Sequence, residues 1–217
     1  MRMVIYISLG PCSVKKQMQS NGINQETLPF DWLKIKNINS IVNILTDNYK
    51  NLFENLIHIK DDFENKFFVD GNKISSIYRN EKYNVDFCHD FYHDENHNFT
   101  EQICSVKEKY ARRIERFYKI LNSEEKIIFI RDDMFVNCKN IDFSILEKFD
   151  NVIKNINPDI NYDLVWIINP LKNNENDKLN NLIIQKNKFS NINIIIDNNK
   201  PKKWWHDEIN WSYIFNQ

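Results

Sequence analysis

The chain has 217 residues, 42% of them hydrophobic and 13% aromatic, which excludes a disordered polymer and suits one α/β domain with a substantial core. Lys and Arg number 29 against 30 Asp and Glu, a net charge of -1 that excludes nucleic-acid binding driven by a general basic excess. Cys12, Cys88, Cys104 and Cys138 stand far apart with no CxxC pair, so they read as reduced thiols of a cytoplasmic protein and not as a disulfide framework. No apolar run is long enough for a membrane span or a signal-peptide core.

Val4 to Leu9 is a run of apolar or small residues, mostly β-formers, and reads as a short buried strand. Gly10-Pro11 ends it, and Ser13 opens a helical pattern that closes at Asn21-Gly22. Cys12 therefore falls on a tight strand-to-helix turn, near the first amides of a helix. Those unpaired N–H groups and the helix dipole favour thiolate over thiol, so Cys12 is expected to alkylate ahead of the other cysteines.

Next comes Thr27-Leu-Pro-Phe-Asp-Trp-Leu33. Asp31, between two large aromatics, either caps a helix over Trp32–Ile35 or is aimed at a site under the Cys12 turn. Ile41, Leu45, Tyr49, Leu52, Phe53 and Leu56 make one stripe of a helix over 38–56. Asp70-Gly71-Asn72 marks a turn, which suggests a small hairpin insertion near 61–83 pairing 67–69 with 74–78. Residues 85–88 suit a short strand delivering His89 and Asp90 at its end. A basic amphipathic helix follows over 108–121, then a buried strand over 126–130 ending in Arg131-Asp132-Asp133. Residues 143–156 read as a helix, 163–168 as a strand ending in Asn169, 178–189 as a helix, and 192–196 as a strand ending in Asp197. Residues 204–215 read as an aromatic closing helix.

Alternating strands and helices with near-continuous apolar strands predict a single α/β domain over 1–217. Its architecture is expected to be a three-layer, Rossmann-like, mostly parallel sheet with helices on both faces. Sites in such sheets lie beyond the carboxyl ends of the strands. Those ends carry Cys12, His89, Asp90, Arg131, Asp132, Asn169 and Asp197. A thiol with an imidazole in reach and a third group to orient the ring is the pattern of nucleophilic catalysis. The catalytic candidates are Cys12, His89 and Asp90, with Asp31 or Asp197 as alternative orienters. Asp31, Arg131, Asp132, Asn169 and Asp197 are the substrate-binding candidates, and Arg131 suits a carboxylate or phosphate unless an acid beside it takes the guanidinium. The substrate would be a small molecule, a peptide or a glycan.

Histidines at 89, 93 and 97 are spaced for one helix face, yet 94–98 reads as a polar loop with no second Cys/His cluster, so no metal is expected. Gly10, Gly22 and Gly71 are the only glycines, which leaves no phosphate loop or dinucleotide fingerprint and no expected cofactor. His58 and His206 are expected at the surface.

The pattern Ile7-Ser-Leu-Gly-Pro-Cys-Ser-Val, Gln17-Met, Gly22-Ile and Leu28-Pro-Phe-Asp-Trp32 resembles a family labelled "putative papain-like cysteine peptidase". His89-Asp90-Phe91, the Arg112-Arg113 helix, Phe129-Ile-Arg131 and the Trp-rich end resemble its later motifs. Gly10 and Cys12 stand closer than in the family pattern, with only Pro11 between them. The resemblance implies a cysteine hydrolase or peptidase. The element order differs from a papain-like fold, in which the Cys opens a long helix and the His lies on a later antiparallel barrel. Two further readings stay open: a transferase of surface-polysaccharide biosynthesis acting on a sugar or activated sugar, with Cys12 structural, and a non-catalytic binding module.

Overall fold

The computed structural model describes residues 3–64, 68–69, 73–93, 95, 99–133, 144–168, 183–184, 186–197 and 202–215. Two sheets divide the strands. The first is parallel and contains β1 (Val4–Ser8), β7 (Lys126–Asp133), β8 (Tyr162–Ile168) and β9 (Ile192–Ile196), in that order. Val4 pairs with Lys126, Phe129 with Leu164, and Val165 with Asn193. These strands form where their apolar runs predict, and the inner pair, β7 and β8, is covered on both faces. On one face Ile127, Phe129, Leu164 and Trp166 pack with α4 (Ile145–Ile156) in the main core. On the other, Ile128, Ile130, Val165 and Ile167 pack with α1 (Cys12–Ser20) and α5 (Trp211–Phe215).

The second sheet is antiparallel and is inserted in the chain between β1 and β7. Its order is β2 (Leu33–Ile35), β6 (Val85–Tyr92), β5 (Lys73–Asn80), β3 (Leu56–Asp61), with β4 (Phe68–Val69) pairing β5. The expectation of a mostly parallel sheet is corrected here: among the described residues, β2 to β6 are antiparallel. Val69 lies opposite Lys73, and β5 is an inner strand of this sheet. The strand bearing His89 thus lies in the antiparallel sheet and is not a neighbour of β1.

Asp31 does not start a helix, since Leu33–Ile35 is β2. The helix expected over 38–56 is α2 (Ile38–Thr46), and it stops early because Asn48 and Tyr49 take left-handed backbone angles, φ 49° and 58°. The basic helix is α3 (Phe99–Leu121), longer at its start than its stripe indicates. In the tail only α5 is helical among the residues expected to close the chain as one helix. Most of the helix expected over 178–189 lies outside the described residues.

One apolar cluster runs through both sheets, joining Ile7 and Phe129 to Leu33, Phe87, Tyr110 and Phe117. Arg131 ties the sheets together within it. Its guanidinium is fully buried and donates to the Leu9 carbonyl at 2.8 Å and the Ile35 carbonyl at 2.9 Å. Among the described residues no helix is long and apolar enough to cross a membrane.

Candidate active site

Leu9 N–H still bonds the Ile130 carbonyl at 2.8 Å, so the chain leaves the parallel sheet only at Gly10. Gly10 has φ +65°, and an added Cβ would lie 3.3 Å from the Leu33 carbonyl oxygen. A side chain there would meet both a strained backbone and the antiparallel sheet. Pro11 precedes the helix, and Cys12 is its first residue. The sequence thus puts the thiol at a helix start, as read. Its state is the opposite of that expected. Cys12 is 5% exposed, and burial pushes its thiol up to about 12; its own amide and Lys34 pull it down, while Asp90 and Asp31 add to the rise. Desolvation of the anion outweighs the helix start here.

Asp31 is held under this turn. Its Oδ2 accepts from Leu28 N–H at 2.8 Å and pairs with Lys15 Nζ at 2.9 Å, both side chains being almost wholly buried. Lys15 also donates to the Gln25 carbonyl. Burial raises the Asp31 carboxyl against the pull of Lys15, and its Oδ1 has no hydrogen-bond partner among the described residues.

The third component is a bulge. Ser76 is paired with Phe91 and Tyr78 with Phe87, so four steps along β6 are opposed by two along β5. The extra length falls on Cys88, His89 and Asp90. A bulge of this kind re-aims side chains and is frequent beside active sites. Asp90 turns to α3: Lys109 Nζ lies 2.7 Å from its Oδ1, and the Tyr110 hydroxyl donates to Oδ2 at 2.9 Å. The His89 ring stands edge-on to Trp32, with centroids 5.5 Å apart. Burial raises the Cys88 thiol, and Cys12 is the next contributor, which places the two sulfurs in one neighbourhood. Cys12, Asp31, Cys88 and Asp90 are buried, whereas Trp32 and His89 are partly exposed.

The remaining sequence candidates separate from it. Arg131 is not open to a substrate carboxylate or phosphate: Asp133 and two main-chain carbonyls hold its guanidinium. Asp132 and Asp197 meet instead across His206. The ring's Nδ1 is 3.1 Å from Asp132 Oδ1 and its Nε2 is 2.8 Å from Asp197 Oδ2, while Ser13 Oγ–H donates to Asp132 Oδ2 at 3.2 Å. The surface placement expected of His206 is overturned, since its ring is fully buried. Two strand-end carboxylates needing a partner were the signal for this contact, and the lone histidine of the tail was the residue able to supply it. Asn169 lies outside the described residues. His58 is half exposed and bonds Asp61, which also pairs with His93 at 3.1 Å. No group of three or more metal-ligating side chains occurs among the described residues, and His97 lies outside them.

The fold and site define a two-sheet α/β protein with a cysteine opening a helix and a histidine on an antiparallel bulge. It belongs to the family described as "Putative papain-like cysteine peptidase", whose profile matches residues 4–170, from β1 to just past β8. It is 31% identical to an uncharacterized protein of Acanthamoeba polyphaga mimivirus over 219 aligned positions, covering 97% of this chain and 96% of the relative. No solved structure matches it.

Proposed function

We propose that this protein is a cysteine-dependent hydrolase or acyl transferase with Cys12 as nucleophile and His89 as its base, built as one α/β unit of Rossmann-like layering with an antiparallel insertion. The observation that supports the reading is the β6 bulge, whose extra length falls on Cys88, His89 and Asp90, with Cys88 in the neighbourhood of the helix-start thiol. The form described is a resting one, because a thiol raised to about 12 is protonated at neutral pH. In the reaction the Cys12 sulfur forms a bond to an acyl carbon, its proton passes to His89, and the leaving group departs with that proton. Water or an acceptor then cleaves the thioester. Amides at the start of α1 are suited to hold the oxyanion. Asp90 and the Lys15–Asp31 pair fix the surrounding segments, and Arg131 braces the sheets. Free thiols at Cys12, Cys88 and Cys104 suit a reducing, cytoplasmic setting.

Intact-mass analysis after incubation with activated peptide esters tests this. An acyl adduct should form on Cys12, vanish in Cys12→Ser and form about a hundredfold more slowly in His89→Gln. An adduct on another residue, or unchanged ester turnover in Cys12→Ser, refutes it.

The burial of Cys12 favours a second reading, in which the thiol is structural and the protein transfers a sugar. A thermal shift with nucleotide-activated sugars that survives Cys12→Ala supports that reading; no shift with any of them removes it.

A further inference from the structure

The face of α3 turned toward the bulge carries more positive charge than its visible partners use. The Tyr110 hydroxyl donates to Asp90 Oδ2 at 2.9 Å, and Lys109 Nζ lies 2.7 Å from Oδ1, which accepts no hydrogen bond among the described residues. Arg113 pairs with that same oxygen only at long range. Its Nη1 is 3.7 Å from Asp90 Oδ1, too far for a hydrogen bond, and this buried atom has no hydrogen-bond partner among the described residues. The guanidinium lies over the Tyr110 ring, 4.9 Å from its centroid, which fixes its plane. The side chain keeps 12% of its surface exposed, so solvent reaches part of it. Around the cluster, Lys15, Lys34, Lys109 and Arg113 face Asp31 and Asp90, while the nearby Asp86 is taken by Arg79. A buried guanidinium donor without an acceptor, in a neighbourhood with surplus positive charge, is a place where an anion replaces lost hydration.

We infer that Arg113, with Lys109 beside it, is the anion-recognition element of the Cys12 site, and that the molecule bound there carries a carboxylate or phosphate group. This deepens the thiol reading and takes the reacting centre from it, but binding of the anion does not itself need the sulfur. The fork of Arg113 offers two parallel N–H donors to planar or tetrahedral oxygens, while Lys109, on the same helix face one turn earlier, adds a point charge.

Calorimetric titration at fixed ionic strength tests the inference, using inorganic phosphate, hippurate and the uncharged hippuramide as probes. Wild-type protein should bind phosphate or hippurate saturably and hippuramide not at all; which anion binds tells phosphate from carboxylate recognition. Arg113→Gln should weaken that binding about tenfold or more, Arg113→Lys should recover only part of it, and Arg112→Gln, the same charge change on the exposed side of α3, should alter it less than about twofold. If Arg113→Gln does not fold, Arg113→Lys against Arg112→Lys carries the comparison. No saturable binding of either anion, or equal loss from changes at 112 and 113, overturns the inference. Repeating the titration in Cys12→Ser separates the two readings. Retained binding with abolished acylation supports both. Retained binding with unchanged turnover refutes the thiol chemistry alone.

Discussion

The ring of His206 stands between two carboxylates that end neighbouring regions of the parallel sheet, 3.1 Å from Asp132 and 2.8 Å from Asp197. Both ring nitrogens face acceptors, so the arrangement suits an imidazolium and leaves no free nitrogen for base catalysis. The same segment is tied to α1 by Gln17, whose amide donates to the Trp205 carbonyl at 2.6 Å, and by the Ser13 bond to Asp132. The tail thus fastens the helix that Cys12 begins.

Removing this ring should be costly. His206→Gln leaves two buried carboxylates without their cation and is expected to lower unfolding free energy by about 3–5 kcal/mol, read from urea melts near pH 6. The pH dependence has a definite sign. Burial alone would lower the His206 pKa, but the bonds and charges of Asp132 and Asp197 outweigh it and raise it above the ordinary value. Burial also raises Asp132, against the pull of His206. The folded form therefore holds protons more tightly than the unfolded chain. The contribution of His206 is full below its unfolded pKa of about 6.5 and fades as pH rises through the folded value. The stability gap between wild type and His206→Gln should accordingly narrow at alkaline pH; a gap that widens there refutes the assignment.

The cysteines should label in an order set by burial. With its pKa near 12, Cys12 is ionised in on the order of one molecule in ten thousand at pH 8. Cys104 is exposed and should react first with iodoacetamide, with Cys12 and Cys88 following more slowly. Peptide mapping of the alkylated protein measures the order. Early modification of Cys12 in the native protein would show that its sulfur is not sheltered as described.

Lys15 and Asp31 form a buried pair with one spare carboxylate oxygen. Lys15→Met leaves Asp31 charged and uncompensated, and should cost about 3–5 kcal/mol in chemical denaturation. Lys15→Met combined with Asp31→Leu should recover part of that loss, since replacing both members by apolar groups removes the stranded charge. A double variant as unstable as the sum of the two singles contradicts the coupling.

Arg131→Lys is not a conservative change in this fold. The fork reaches carbonyls of both sheets at once, whereas a single ammonium cannot repeat that geometry. A loss of about 2–3 kcal/mol is expected from urea melts, with anion binding at the Cys12 site unchanged. Weakened anion binding with intact stability would restore Arg131 as a ligand contact.

The parallel strands were legible because burial on both faces writes an unbroken apolar run, as in Lys126–Ile130 and Asp163–Ile168. The antiparallel sheet was not. β2 is three residues long, β3 leaves Ile57 and Ile59 exposed, and the β6 bulge breaks the alternation that would mark a half-buried strand. Cys12, Asp31, His89 and Asp90 stood out because turn formers and aromatics frame them. The role of Arg131 was hidden, since its acceptors are main-chain carbonyls that no residue pattern records. His206 was hidden because its partners come together only when β7 and β9 align.

The separation between Val4 and its sheet partner Lys126 has a consequence for biosynthesis. Among the described residues β1 pairs with β7 alone, so it stays unmated until the whole inserted sheet and α3 have been made. At ordinary elongation rates that wait is on the order of ten seconds. Nascent chains halted before β7 should be targets for chaperones, however well the inserted sheet has already folded.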